Sequence, residues 1–406
     1  MVKTITYVRR FSADPKRNLE RFLTIDYNDV EVTDLFGRLA KEDVKKEKEI
    51  EWIRRSALED IGALLLQPLS HYAHYAVAGF EGIRVYEGDN GLAIVNFERN
   101  AARFRRTQDA LFLTADSYRK VSEERDTLPD EVKAILKPAT HEQEPVFVPE
   151  WFDAQHLYDV VEALIRANTH AGNIDPSRNQ IYVRPVIARD THSEGKLGVL
   201  CLYHDIIMQV IIQEWPDYLP NGLKLFVPEY GIENPLRRTK CGANYAEGAI
   251  IKNRAHILGF DDGMFTDNSR NICEATGANV FVFFGDRLVT PPTSQYILPG
   301  ITRELAIEVA KNMGITVHQE NIPLEELANA TCMSLTGTAT GARSVGYVWD
   351  AKGKRGYTMN PEYAPFIELQ REITSVITGR GEVCSANKPV QARAHQTVID
   401  LSGSYK

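Results

Sequence analysis

Missing from this 406-residue chain is any apolar stretch approaching the roughly 20 residues that span a bilayer. Its opening, MVKTITYVRRFSADPKRNL, has basic residues but no apolar core of signal-peptide length. Cysteine is sparse: Cys201, Cys241, Cys273, Cys332 and Cys384 are odd in number, widely spaced and never arranged as CxxC. That pattern argues against a disulfide framework or a zinc site and suits a reducing compartment. An excess of positive charge is also absent. The 47 basic and 55 acidic residues are interspersed and leave a formal charge of -8, so nothing attracts a polyanion such as nucleic acid. No internal repeat or low-complexity tract stands out. The expectation is a soluble cytoplasmic protein with neither a membrane nor a nucleic-acid partner.

What is present is enough apolar material, 43% of residues, for two cores, and the length exceeds what one core usually supports. Residues 1–65 are charge-dense and read as an N-terminal extension. Within it KEDVKKEKEIEWIRRSALEDIGALLL has helical spacing, with Ile50, Ile53 and Leu58 facing inward. Residues 66–213 form a smaller α/β domain. It begins with a hairpin turning at GDNG, 88–91, and continues into the helix FERNAARFRRTQDALFL. An insertion near 127–151 carries four prolines and one short helical turn. A helix at FDAQHLYDVVEALIRAN and buried strands at IYVRPVIA and VLCLYHDIIMQVIIQEW complete this half.

The segment EWPDYLPNG, 214–222, has the prolines and glycine of an interdomain loop. Residues 223–406 then make a larger α+β domain with several antiparallel strands, among them GFDDGMFTD, NICEA, NVFVFF and RLVTP. Helices are expected at 302–313 and 323–330, and a tail follows.

Three weak signals bear on chemistry. Lys240 in PLRRTKCGANYAEG precedes a helix that Asn244 can cap, with Glu247 three positions on; a surface lysine is the plain alternative, and Arg237, Arg238 and Cys241 are equally ambiguous. In ILPGITRELAIEVAKNMG, Gly300 allows a tight turn into a helix that starts near Thr302 and buries Leu305, Val309 and Met313 before Gly314. Its free N–H groups and partial positive charge suit a phosphate, although most capped helices bind nothing. The loop TGTATG, 336–341, either turns N–H groups toward an anion or is a simple tight turn.

The order of these signals is more telling than any one of them. Through HYAVAGFEGIRVY, YVRP, WPDYL, KCGANY, ICEATGANVF, TPPTSQYILPGITRE and LTGTAT, the chain resembles the branched-chain amino-acid aminotransferases among the fold-type IV pyridoxal-phosphate enzymes, over residues 70–346. The resemblance implies a two-domain fold like that of D-amino-acid aminotransferase. A small α/β domain would precede a larger pseudo-barrel domain that binds pyridoxal 5'-phosphate. It makes Lys240 the Schiff-base lysine, Tyr245 a contact of the cofactor's phenolic oxygen and Glu274 the partner of the pyridine nitrogen. Arg103, Ile301, Thr302 and Thr338 form its phosphate cup, with Gly277 and Asn279 beside them.

For the substrate, the resemblance assigns the carboxylate to Tyr182 and Arg184 with the backbone at Ala339, and the side-chain pocket to Tyr75, Phe80, Trp215 and Tyr218. Arg84 and Tyr75 are the candidates for a second, distal carboxylate. It implies transamination between leucine, isoleucine or valine and 2-oxoglutarate by a homodimer or higher homo-oligomer. Other amino donors remain open, as does an aminodeoxychorismate-type lyase, against which YVRP argues. A non-catalytic binding protein is disfavoured because both the lysine and Glu274 are present. The loop ARDTHSEGKLGV, 188–199, departs from the family, and TGARSVGY following Thr338 is abbreviated. His71 and His74 have the spacing of a helical metal pair but no evident third ligand.

Overall fold

A computed structural model describes residues 3–13, 19–26, 31–33, 70–88, 91–136, 144–178, 180–192, 198–215, 219–294, 296–378 and 396–399. The helix expected over 41–66, with Ile50, Ile53 and Leu58, lies outside the described residues, as do Tyr218 and Cys384.

The first sheet is antiparallel throughout. Its strands are β1 (Lys3–Phe11), β2 (Leu19–Asp26), β3 (Glu31–Thr33), β4 (Ala78–Phe80), β5 (Ile83–Gly88), β6 (Gly91–Val95), β7 (Gln180–His192), β8 (His204–Trp215) and β18 (Gln396–Ile399). They run in the order β18-β6-β5-β7-β8-β1-β2-β3, with β4 on β7. β5 pairs antiparallel with β6, with Gly88 opposite Gly91.

Helices α1 (His71–Tyr75), α2 (Phe97–Ala110), α3 (Ala115–Asp126), α4 (Asp130–Ile135) and α5 (Ala154–His170) belong to this half. Leu157, Val161, Leu164 and Ile165 of α5 recur at helical spacing and meet Phe97 and Phe104 of α2 over strand residues Ile83, Val183 and Ile212. The Asp153 side chain caps α5 by accepting from the His156 N–H at 2.9 Å.

Two parts of the expected division are corrected. Residues 3–11 are not outlying: β1 pairs with β8 inside the first sheet. The tail strand β18 pairs with β6 of that same sheet rather than staying with the second half. In each case an edge strand with unpaired N–H and C=O groups takes a partner that no local sequence pattern announces.

The second half holds β9 (Leu223–Val227), α6 (Ala243–Ile257), β10 (Asp262–Thr266), β11 (Ile272–Ala275), β12 (Asn279–Phe284), β13 (Arg287–Thr290), α7 (Ile301–Asn312), β14 (Val317–Gln319), β15 (Cys332–Gly337), β16 (Gly341–Asp350), β17 (Arg355–Thr358) and α8 (Ala364–Thr378). The order is β11-β10-β9-β16-β15-β12-β13-β14, and an additional pairing of β11 with β12 closes six strands into a ring. That closure is the single pair Glu274 and Asn279.

The NVFVFF strand alternates as the pleat requires. Val280 and Val282 pack inside with Leu225, Val345 and Val348, while Phe281 and Phe283 meet Leu305 and Val309 of α7 and Phe366 and Ile373 of α8. Burying each such phenylalanine favours the fold by roughly 1.5–3 kcal/mol. Gly314 ends α7 at φ 80°, as its position after the buried stripe predicts. The helix expected at 323–330 is instead a 3-10 helix, Leu324–Asn329, that follows Pro323 and buries Leu324 and Leu327.

An unanticipated tie is Arg189 of β7, fully buried at 0% exposure. Its guanidinium donates to the carbonyls of Val146 at 2.8 Å, His204 at 3.0 Å, Leu202 at 3.3 Å and Phe112 at 2.5 Å. It thereby fastens the insertion and the β7–β8 connection to the first sheet. Arg189→Met should cost about 3 kcal/mol in urea unfolding, because several buried carbonyls lose their donor together. A change under about 0.5 kcal/mol would show that these carbonyls find water instead.

Candidate active site

Lys240 sits where the two sheets meet, and its backbone holds it there. The 3-10 turn Pro235–Arg238 delivers the chain, with the Asn234 side chain accepting from Leu236 N–H at 3.0 Å. The Lys240 N–H then donates to Thr107 Oγ1 of α2 at 3.1 Å, and its carbonyl accepts from Phe80 N–H at 3.0 Å. Gly242 N–H donates to the Ala78 carbonyl at 2.7 Å.

Asn244 is not the cap that the sequence suggests. It lies inside the first turn of α6, and its amide donates to the carbonyls of Leu236 at 2.6 Å and Thr239 at 3.0 Å. The turn carrying Lys240 is therefore tied at both ends.

The lysine faces a cavity of about 210 Å³. Its Nζ donates to Tyr245 Oη at 3.0 Å and lies 4.9 Å from the Phe80 ring centre. Burial, with the nearby Arg103 charge, lowers the Lys240 amine to about 8. Burial raises the Tyr245 phenol, and the Glu274 carboxylate adds to that effect.

Glu274 faces the same cavity from β11. Its Oε2 accepts from Leu298 N–H at 3.0 Å and Asn279 Nδ2 at 3.3 Å. Burial pushes this carboxyl up to about 7, opposed by the Leu298 N–H and then by Arg237 and Lys240.

A third corner is cationic. Arg103 of α2 is buried, and its Nε and Nη2 clasp Glu81 at 2.9 and 2.5 Å, leaving Nη1 near the Pro299 carbonyl at 3.2 Å. Beside it α7 begins at Ile301 with no side-chain cap on Gly300, so its first N–H groups open onto the cavity with Thr302. Only glycine fits at 300, since a Cβ there would collide with Asn279 Oδ1. Gly277, Thr338 and Ala339 line the adjoining wall. The neighbouring arginines are elsewhere: Arg105 pairs with Asp109 and Asp116, and Arg106 is exposed.

The remaining wall holds Tyr182 and Arg184, with Arg184 Nη2 donating to Tyr182 Oη at 2.9 Å and its guanidinium 4.5 Å from the Phe80 ring centre. Trp215 stands behind, 4.9 Å from the Tyr182 ring and donating Nε1–H to the Ala339 carbonyl at 3.3 Å. Two expected residues are not brought in. Tyr75 is 39% exposed on α1, outside the cavity, and Arg84 turns into a neighbouring recess where it hydrogen-bonds Gln180. His71 packs against Tyr75 and His204, with its Nε2 3.2 Å from the Val199 carbonyl.

Sequence reasoning missed Glu81 and Thr107 and left Arg237 undecided. Only Glu81 left a signal, as a lone carboxylate in the apolar run AVAGFEGIRV.

The class IV amino-transferase family matches residues 78–347, two-thirds of the chain. The chain belongs to this family. Among curated relatives, it is 28% identical over 299 residues to branched-chain-amino-acid aminotransferase 1, mitochondrial, of Arabidopsis thaliana, spanning 72% of this chain and 67% of that protein. It is 26% identical to the branched-chain-amino-acid aminotransferase of Escherichia coli K12, over 71% of this chain and 82% of that one. Among solved structures, the branched-chain aminotransferase of the thermophilic archaeon Thermoproteus uzoniensis with norvaline superposes with a TM-score of 0.62 at 18% identity, covering 86% of this chain and 96% of that one. The branched-chain amino acid aminotransferase from Escherichia coli gives 0.59 at 22% identity, over 82% of this chain and 94% of that one. These likenesses carry the fold; the chemistry rests on the family and the site.

A lysine whose proton is held this weakly is nucleophilic near neutrality. Competitive acetylation read by mass spectrometry should therefore give Lys240 a midpoint near 8, the neutral reactive amine growing as pH rises. A midpoint shared with exposed lysines, near ~10.4, would contradict the effect of burial.

Proposed function

We propose that this aminotransferase uses pyridoxal 5'-phosphate to exchange amino groups between branched-chain L-amino acids and 2-oxoglutarate. The observation that carries this reading is the convergence on one cavity of three chemically different corners. These are the Lys240 amine, the Glu274 carboxylate, and Arg103 beside the N-terminus of α7. They correspond to the aldehyde, the pyridine nitrogen and the phosphate of that cofactor. When bound, the cofactor supplies an aldehyde that takes up the amino group and a ring that accepts the electron pair left as the α-proton departs.

The chain's own groups do the rest. Lys240 would hold the cofactor through its aldehyde and, as a free amine beside it, would be the base that moves the substrate α-proton. Tyr245 Oη, 3.0 Å from Nζ, would meet the phenolic oxygen. Glu274 holds a proton on the ring nitrogen, which makes the electron pair easier to accept. Arg103, oriented by Glu81, and the N–H groups at Ile301 and Thr302, with Thr338, hold the phosphate. Gly277 and Asn279 frame the ring, and Asn279 also steadies Glu274.

Tyr182, Arg184 and the backbone at Ala339 receive the substrate carboxylate. Phe80 and Trp215 enclose an aliphatic side chain, favoured by about 0.8 kcal/mol per methylene. The two sheets form two domains, joined by residues 214–222 and again by the tail, whose strand β18 returns to the first sheet. A homodimer fits the exposed position of Tyr75, which is free to wall the pocket of a second copy. Sedimentation of a fully active monomer would contradict that arrangement. A cytoplasmic setting agrees with the free cysteines Cys201, Cys241, Cys273 and Cys332.

A half-reaction screen of L- and D-amino acids, read by loss of the bound cofactor's visible absorbance, tests the substrate assignment. Leucine, isoleucine or valine should outrank alanine. Arg184→Met should cut kcat/KM about 100-fold, or ~2.7 kcal/mol, for every donor with an α-carboxylate. A best donor lacking a carboxylate, or unchanged leucine turnover in Arg184→Met, would overturn it.

A further inference from the structure

Arg237 lies three residues before Lys240 and is only 4% exposed. Its guanidinium spans two carboxylates: Nη1 reaches Glu274 Oε1 at 3.4 Å, and Nη2 reaches Glu247 Oε2 at 3.0 Å. The guanidinium carbon rests 4.1 Å from the centre of the Phe265 ring, itself wholly buried. Sandwiched in this way, the group cannot swing out to solvent. It presents a permanent charge in a flat geometry that a lysine would not reproduce.

The two oxygens of Glu274 are unequal. Oε2 is engaged by Leu298 N–H and Asn279 Nδ2, whereas Oε1 has Arg237 as its one donor among the described residues, at a longer distance. Both Arg237 and Glu274 line the cavity, so Oε1 has room for a second partner. Charge follows the same logic. Glu274 and Glu247 carry one negative charge each and Arg237 one positive, so the trio is left with a single negative charge, which a protonated ring nitrogen would neutralise.

We propose that Arg237 is a positioning residue that keeps Glu274 ionised and its Oε1 directed into the cavity, with Glu247 sharing the Arg237 charge. This inference rests on the reading that Glu274 meets the pyridine nitrogen. Without such a cation the buried carboxyl takes up a proton and can no longer accept a hydrogen bond from a protonated ring nitrogen. The other groups that bear on Glu274 act in a mixed sense. Lys240 favours its charge, burial opposes it, and the Tyr245 hydroxyl and the neighbouring Cys273 thiol are held neutral in their buried sites. Arg237 is the permanent cation in contact with the carboxylate.

The test uses the full-length protein with and without pyridoxal phosphate. The carboxyl resonance of Glu274, from ¹³C-labelled glutamate and assigned by its loss in Glu274→Gln, is titrated alongside the ¹⁵N shift of the ring nitrogen in labelled cofactor. Arg237→Met should raise the Glu274 midpoint by about one pH unit or more, and Arg237→Lys should restore part of the shift. Glu247→Gln, a change at a partly exposed side chain, should move the midpoint down by freeing Arg237 for Glu274. If Arg237→Met does not fold, Arg237→Gln, which keeps a hydrogen-bond donor but no charge, decides the matter by the same rise in the Glu274 midpoint. Unchanged midpoints would overturn the proposal. A midpoint that moves while the ring-nitrogen signal does not would leave Arg237 acting on Glu274 but refute the placement of Glu274 against the ring.

Discussion

Everything at the site depends on how residues 240–242 are strapped to the edge of the first sheet. Lys240 belongs to the chain that feeds the second sheet, yet its N–H and C=O bond to Thr107 and Phe80 of the first half, and Gly242 bonds to Ala78. These backbone bonds fix the lysine at the junction rather than in either half. The cavity is consequently lined from both sides: Phe80, Arg103, Tyr182 and Arg184 from one, Tyr245, Glu274 and Thr302 from the other. Loosening the strap would move every one of those distances at once, which is why a site held to fractions of an ångström is built on backbone bonds.

The second constraint is the burial of charge. Arg103 is matched by Glu81, and Glu274 by Arg237, so these two desolvated ions of the cavity each have a hydrogen-bonded partner of opposite charge. Lys240 has no carboxylate in direct contact among the described residues, and its proton is held correspondingly weakly. The same low-dielectric surroundings thus produce different results: charge is favoured by a partner at Arg103, burial is only partly offset by one at Glu274, and an amine without one becomes reactive at Lys240.

How much of this was legible in the sequence varies with the range of the interaction. Local periodicity was readable: the antiparallel pairing at Gly88 and Gly91, the alternation of NVFVFF and the start of α7 after Gly300 all depend on neighbours within a few residues. The cavity residues of the second half emerged from ordered motifs rather than from any single pattern. Pairings over long separations were not legible. Nothing near Gln396 announces that its strand joins β6, and nothing near Glu81 names Arg103 as its partner. Asn244 shows the same limit at short range. Its spacing before Glu247 fits a capping box, but the carbonyls of Leu236 and Thr239 compete successfully for its amide. Tyr75 and Arg84 share a motif with Phe80, yet strand and helix geometry points them away from the cavity.

On the proposed function, the strapped lysine is the covalent anchor of the cofactor. The most direct measurement loads the full-length protein with pyridoxal phosphate, reduces it with borohydride and maps the peptides by mass spectrometry. A phosphopyridoxyl label should appear on Lys240 and disappear in Lys240→Ala. A label on any other lysine, or one spread across exposed lysines while Lys240 stays unmodified, would contradict it.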